Sequence, residues 1–328
     1  MKKVNLGIIG LGYVGQIHLR NALRLDAAKV VAVADVSKKT LDKAKGVGVP
    51  KAYSDYNQLL KDTEVDAVVI ALPTHLHLQC SLSAAESGKH IFLEKPMARN
   101  PAEAQQILSI ARKNSVSLMI GYPLRFNRSF RSLKEKITRG VLGDVEVAQA
   151  TYISSGPFMH RAEGYAPIPV PDWWFKKELT GGGVLIDLGS HLINLLRWYF
   201  GEVTQVTSYL RHRFNLDLED GAICVAKFAS GPTAIINVGW FSQAYKLQVE
   251  LLGSASHVTG QHKPLGALST ITQILATGTT EFFRPHLVEL QHFVTSINND
   301  LTPSPSGEEG VKDLQVIQAA YESSRDFD

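Results

Sequence analysis

The chain has 328 residues, long for one hydrophobic core and suited to two domains. Hydrophobic residues at 45% and charged residues at 20% exclude a disordered or fibrous chain. A formal net charge of +3, spread without clusters, offers no basic surface for nucleic acid. The first predicted element is an apolar strand at 4–9, which delivers Gly10-x-Gly12-x-x-Gly15 into a helical run. A strand, a glycine-rich turn and a helix make a phosphate cradle, because backbone without Cβ atoms can turn sharply and approach a pyrophosphate at the helix N-terminus. A second strand, 30–34, ends at Asp35, twenty residues beyond Gly15. A carboxylate there can accept from both ribose hydroxyls of an adenosine.

Strands at 67–71, 90–93 and 118–120 continue the alternation, each short and nearly all apolar. Such strands need cover on both faces, so a parallel sheet wrapped by helices is expected. Ser37 is placed to cap the following helix, and Asn100-Pro101 sets a capping side chain before a proline at the first helical position. Beyond Gly121 the pattern changes to longer, half-apolar strands at 145–154, 203–212, 222–228, 233–241 and 246–252, which suit a largely antiparallel sheet. A strongly apolar helix, 184–200, interrupts them, and helices at about 285–299 and 307–325 close the chain. The proline-rich segment 156–171 reads as an irregular binding loop or lid. An α/β fold is therefore expected, with a dinucleotide-binding domain at 1–122 and an α+β domain at 123–328.

Lys2 and Lys3 precede an apolar run, but Gly7, Gly10, Gly12 and Gly15 interrupt it, so it belongs to the fold rather than to a signal peptide. No stretch offers about 18 uninterrupted apolar residues, so no membrane span is expected. Cys80 and Cys224 are too few and too scattered for a disulfide framework or a zinc site, and read as buried thiols of a cytoplasmic protein.

Two constellations can carry chemistry. Glu94-Lys95-Pro96 follows the strand 90–93, where open α/β sheets bind ligands. A lysine there can bond a nicotinamide ribose and a substrate hydroxyl, and stabilise an oxyanion as a hydroxyl is oxidised; a solvated surface turn is the alternative. The helix opening at Gly181-Gly182-Gly183 is apolar nearly all round, yet Asp187, Ser190, His191 and Asn194 form one polar stripe along it. Histidine is the natural base for an alcohol proton near neutral pH, with a satisfied core histidine as the alternative. His75 and His77 lack an obvious third ligand, so no metal is expected.

The glycine fingerprint, Glu94-Lys95-Pro96, Gly121-Tyr122 with Arg125-Phe126, and Gly181-Gly182-Gly183 followed by Asp187 and His191 stand in the order found in the glucose–fructose oxidoreductase/inositol dehydrogenase (Gfo/Idh/MocA) family, which the chain resembles over nearly its whole length. Gly88-Lys89-His90, Ser306-Gly307-Glu308-Glu309-Gly310 and Ala320-Tyr321-Glu322-Ser323 agree with it. The resemblance implies pyridine-nucleotide-dependent oxidation or reduction of a sugar, inositol or related polyol, and a second domain whose open sheet serves oligomerisation as a homodimer or homotetramer. It also implies that Lys95 is the catalytic lysine, Asp187 the substrate-site aspartate and His191 the proton-transfer histidine, with the Lys95-Pro96 bond cis. Asn194, where many relatives have an aspartate, and Asn127-Arg128, in place of Asn-Pro, depart from the pattern and bear on the substrate.

On this reading Gly10, Gly12, Tyr13, Val14, Gly15 and Asp35 bind the adenosine diphosphate portion. Leu72, Pro73, Thr74, His77, Glu94, Lys95 and Arg125 contact the rest of the cofactor. Asp35 would repel the 2′-phosphate of NADP and so favours NAD; Ser37, Lys38 and Lys39 leave NADP as the lesser possibility. Tyr122, Trp173 and Trp174 join Lys95, Asp187 and His191 on the substrate side. His160, Arg161, Arg211 and Arg213 would matter only for a phosphorylated substrate. The expected activity is NAD-dependent oxidation of a secondary hydroxyl of a cyclic polyol or sugar, which requires Lys95 and His191 to converge beside the nicotinamide. The alternatives are an NAD-recycling glycosidase of the same family and a non-catalytic NAD-binding sensor.

Overall fold

Strands that are apolar on both faces stay out of water only when layers cover both of them, and the first half of the chain is built that way. The computed structural model describes residues 3–161, 164–167, 170–262 and 284–326. Its first sheet is parallel throughout: β1 (Val4–Ile9), β2 (Ala28–Ala34), β3 (Lys51–Tyr53), β4 (Ala67–Ile70), β5 (His90–Glu94) and β6 (Leu118–Gly121), in the order β3-β2-β1-β4-β5-β6. The helices α1 (Tyr13–Ala22), α2 (Lys38–Gly46), α3 (Tyr56–Leu60), α4 (His77–Glu86) and α5 (Pro101–Lys113) connect them. Strand order reverses between β1 and β4, and the crevice beyond the C-terminal ends of those strands is where such sheets bind ligands.

Both predicted caps form. Ser37 Oγ accepts from the Thr40 N–H at 3.4 Å, and Asn100 Oδ1 accepts from the Glu103 N–H at 3.0 Å, with Pro101 opening α5. The three residues of β3 are too few to show a strand period, and the sequence does not announce them. Where the sequence suggests a single cut after residue 122, the packing returns 284–311 to this first unit. The helix Arg284–Asn298 covers β5 through Phe293, whose ring lies 5.7 Å from that of Phe92. The Ile120 N–H then donates to Pro305 O at 2.9 Å, and Met119 bridges Ser306. Lys95-Pro96 is cis, as expected, and so is Ser304-Pro305.

The second unit holds the remaining described residues from Leu124, together with those from Lys312 onward. After α6 (Arg128–Thr138), its mixed sheet uses β7 (Val145–Ile153), β10 (Val203–Arg211), β11 (Gly221–Phe228), β12 (Thr233–Gly239), β13 (Lys246–Gly253), β14 (His257–His262) and β15 (Arg325–Asp326). The order is β14-β13-β7-β12-β11-β10-β15, antiparallel except for β7–β12 and β10–β15. On one face Cys224, Ile236, Ala150 and Val249 pair across four strands and are buried; on the other, Val225 faces Ile235 and both are exposed. That alternation is what a half-covered sheet demands.

The segment 156–171 is not wholly irregular, since β8 (Phe158–Arg161) and β9 (Gly164–Pro167) pair as a short hairpin. The predicted apolar helix, 184–200, comprises a wide π turn at Leu185–Gly189 and α8 (Ser190–Phe200), with the short α7 (Lys177–Thr180) ahead of it. By length and composition Lys177–Phe200 is apolar enough to cross a membrane, but 78% of its most apolar window is buried in the protein, which marks a core helix.

Candidate active site

The cradle at the end of β1 is shaped by three glycines with three different constraints. Gly10 has φ +86°, and a Cβ on it would lie 2.5 Å from Ala71 O. A Cβ on Gly15 would collide with Gly10 O, whereas one on Gly12 would meet nothing within 4 Å among the described residues. The first two glycines therefore allow the turn and the close helix packing, and Gly12 opens onto the space a pyrophosphate needs. The first N–H groups of α1 have no intrahelical acceptors, which suits an anion there. These residues fit a dinucleotide.

Asp35 is half-buried at the end of β2 and already engaged. Its Oδ2 accepts the Leu11 N–H at 2.6 Å, and its Oδ1 accepts the Ser37 N–H at 2.7 Å and the Thr40 hydroxyl at 3.0 Å. A carboxylate has about four lone-pair sites, so one remains for a ribose hydroxyl rather than the two the sequence suggests. The same contacts fasten the glycine turn to β2. Beyond β4, Leu72 and Pro73 are half-exposed and the buried Thr74 starts a 3₁₀ turn, Thr74–Leu76.

Glu94 ends β5 nearly buried. Its Oε1 meets His18 Nε2 at 2.6 Å, and its Oε2 accepts the Lys95 N–H at 3.2 Å. A Cβ at Gly121 would press within 3.2 Å of Glu94 Oε1, so the residue beside it on β6 must be small. Burial alone would raise the Glu94 carboxyl pKa, but the hydrogen bond and charge of His18, aided by His286 and Lys95, hold it below its ordinary value. Lys95 itself is half-buried, just outside the sheet.

In the second unit the glycine triplet leads into a helix whose start is capped from afar. The Gly183 N–H reaches both oxygens of the buried Glu219 carboxylate at 3.0 Å, and the Leu185 N–H reaches Oε1 at 2.9 Å. The Tyr321 hydroxyl donates to the same oxygen at 2.8 Å, and the Val184 N–H reaches Glu219 O at 3.0 Å. Burial pushes the Glu219 pKa up, against these bonds. A Cβ at Gly182 would strike the Tyr321 hydroxyl and one at Gly183 would strike Glu219 O, so this packing requires both glycines.

Asp187 lies in the π turn and His191 in the first turn of α8, both half-buried. The Trp240 Nε1–H donates to Asp187 Oδ2 at 3.3 Å, and the Tyr152 ring lies 6.0 Å from the His191 ring. Burial, with the charge of Asp187 behind it, pushes the Tyr152 hydroxyl up to about 12. The rest of the polar stripe turns inward. Ser190 Oγ donates to Asp187 O at 3.1 Å. Asn194 is buried, accepts from Arg125 Nε at 2.7 Å and donates to Asp313 Oδ2 at 2.6 Å, while Arg197 meets Asp313 Oδ1 at 2.5 Å.

The first unit thus gathers Gly10, Gly12, Tyr13, Val14, Gly15, Asp35, Leu72, Pro73, Thr74, Glu94 and Lys95 around the C-terminal edge of its sheet. Three expectations change. His77 is buried, with its ring nitrogens 2.9 Å from Leu72 O and Pro96 O, so it ties two loops together rather than facing a cofactor. Arg125 is buried in the Asn194 knot of the second unit. Tyr122, expected on the substrate side, is 1% exposed in the core of the first unit. Trp173 and Trp174 are half-buried neighbours with ring centroids 5.7 Å apart. His160 and Arg161 have side chains outside the described residues. Tyr152, Trp240, Glu219 and His18 were not anticipated. Only His18 carried a sequence signal, a polar residue on the buried side of the helix that follows the glycine turn.

A family model described as an oxidoreductase family with an NAD-binding Rossmann fold matches residues 4–122, and one described as the GFO/IDH/MocA C-terminal domain matches 130–259. The chain is 28% identical to a myo-inositol 2-dehydrogenase of Thermotoga maritima, over 98% of this chain and 96% of that protein. It is also 28% identical to a scyllo-inositol 2-dehydrogenase (NAD(+)) of Bacillus subtilis, over 98% and 94%. A crystal structure of a probable dehydrogenase from Thermotoga maritima is similar with a TM-score of 0.84, at 27% identity and covering 98% of this chain and 96% of that one. The nucleotide the cradle takes is NAD. Because the two domain models match in tandem and the relatives align almost end to end, the chain belongs to the Gfo/Idh/MocA family of oxidoreductases.

Proposed function

We propose that this oxidoreductase oxidises a secondary hydroxyl of a cyclic polyol or sugar to a ketone by taking hydride from the carbinol carbon, with an inositol-like ring as the first choice because the relatives above are named inositol dehydrogenases. Bound NAD supplies the hydride acceptor; the chain's own groups supply position and charge. His191 takes the hydroxyl proton, Lys95 stabilises the developing oxyanion, and Asp187 orients His191 or grips a neighbouring hydroxyl. Trp173 and Trp174 offer faces to a ring, and the second unit serves both substrate binding and self-association. The reduced, buried thiols Cys80 and Cys224 suit the cytoplasm as its compartment.

One observation carries this reading. On a helix whose other polar side chains are bound inside, Asp187 and His191 alone of the stripe stay half-exposed. The test is NADH formation by the purified protein with NAD and a panel of inositols, free sugars and nucleotide sugars. Lys95→Ala and His191→Ala should each lower turnover about a hundredfold or more while NAD still binds. Wild-type turnover in either variant removes that residue from the mechanism. Release of sugar from a glycoside without net NADH would favour the NAD-recycling glycosidase, and binding without redox change the sensor.

A further inference from the structure

Beneath the Glu94–Lys95 turn lies a second carboxylate that the proposed chemistry does not use. Glu289, on the helix Arg284–Asn298, is 0% exposed, and among the described residues neither of its oxygens has a hydrogen-bond partner. Ligand atoms of His18, Glu94 and Glu289 all lie within 4.8 Å of one another. The rings of Phe92 and Phe293 wall the cluster, with His18 packed 5.0 Å from Phe92. Two ionised carboxylates facing one imidazole in such surroundings leave a charge uncompensated, which a dry interior does not tolerate. Either a cation or a proton must neutralise one of them.

The geometry argues against the cation. His18 Nε2 and Glu94 Oε1 are closed on each other at 2.6 Å. Two ligands about 2.1 Å from a tetrahedral metal would stand roughly 3.4 Å apart. A proton requires no such separation.

We propose that Glu289 is a positioning residue held as the neutral carboxylic acid. While it is uncharged, Glu94 is the one carboxylate facing His18, and the Lys95 N–H hangs from a fixed acceptor. This role rests on the function proposed above, since it assigns Glu289 to the turn from which Lys95 works. When Glu289 ionises, two like charges meet under that turn and Glu94 is driven off its partner. Burial, and then the charge of Glu94, raise the Glu289 pKa well above the ordinary carboxylate range, which agrees. Among the described residues, the titratable groups facing the cluster are His18 from α1, Glu94 and Lys95 from the end of β5, His77 from α4, and His286 from Glu289's own helix.

The sign of the pH effect follows. A carboxyl whose folded pKa is raised keeps its proton when the unfolded chain has lost it. Its stabilising contribution is therefore complete below the unfolded value of about 4.3 and declines as pH rises toward the folded value. Glu289→Gln mimics the neutral acid and has no proton to lose. Expected results are an NAD affinity within about threefold of wild type at neutral pH, and a melting temperature that gains on wild type as pH rises above about 5 and levels off once the wild-type carboxyl has ionised. As pH passes the folded pKa, NAD affinity should fall in the wild type, by at most about tenfold per unit, and stay flatter in the variant.

A constant melting-temperature difference across pH would overturn the proposal. So would coincident pH profiles for NAD, loss of NAD binding in Glu289→Gln at neutral pH, or a stoichiometric divalent metal in protein purified without chelator. None of these readouts needs a substrate. A protein that fails to oxidise any polyol therefore refutes the proposed function while leaving this test intact.

Discussion

Asp35 shows how one side chain can hold both the shape and the selectivity of a site. Its three donors come from the glycine turn, the residue two positions on and the first turn of α2, so the carboxylate is rigid before any nucleotide arrives. Asp35→Ala removes the acceptor for the Leu11 N–H as well as the ribose contact. Hydrogen bonds to charged groups are worth about 1.5–3 kcal/mol, so NAD should bind roughly ten- to a hundredfold more weakly. The preference over NADP should narrow as well, because the repulsion toward a 2′-phosphate disappears. Titration with both nucleotides checks this, and an unchanged ratio would place the discrimination elsewhere. The spacing to Asp35 was readable from the chain; the three bonds that leave it one free lone pair were not. His77 makes the same point, since its position after β4 suggested a cofactor contact and only its two carbonyl neighbours show a tie between loops.

At the scale of elements, the helix that presents Asp187 and His191 depends on an acid 36 residues away from the glycine it caps. Glu219 replaces a local cap by accepting two backbone N–H groups and the Tyr321 hydroxyl in a buried setting. Glu219→Ala strands those donors, and an unsatisfied buried donor costs about 1–3 kcal/mol, so the unfolding free energy from denaturant titration should fall by several kcal/mol in all. Turnover should fall further than NAD affinity, because the disturbed element carries the proposed base and not the glycine cradle. Equal losses in both would mean the whole fold is damaged. The triplet Gly181-Gly182-Gly183 announced a helix start, while nothing in the chain pointed to Glu219 as its acceptor. The wide turn at Leu185–Gly189 was equally hidden, since it has the composition of the helix it interrupts.

For the whole molecule the open face of the second sheet is the feature with consequences. Val225 at 44% exposure, Ile235 at 41%, and Ile223 and Tyr209 at 37% each pair across β10, β11 and β12 to make a contiguous apolar strip. Strips of that kind on a sheet usually meet a partner, and a second copy of this chain is the partner we propose. Val225→Glu places a charge in the middle of the strip and should shift the mass measured by light scattering toward the monomer, leaving the thermal unfolding nearly unchanged. An unaltered mass would put the contact on another surface. The half-apolar character of these strands foretold one open face, and the register across the sheet brought these residues side by side.

Local rules were legible in the chain itself: the glycine turn, the acid at the end of the second strand, the caps at Ser37 and Asn100, and the change from covered to half-covered strands. The turn, the caps and the strand periods depend on residues a few positions apart, and the acid on the fixed spacing of one strand–helix–strand unit. What tertiary structure alone decided was the fate of polar groups inside it. Asn194 became a knot with Arg125 and Asp313, Glu219 became a distant cap, the helix Arg284–Asn298 returned to the first sheet, and Glu289 came to face Glu94. A buried polar group is defined by its partners, and here those partners stand tens to hundreds of residues away, beyond the reach of any local pattern.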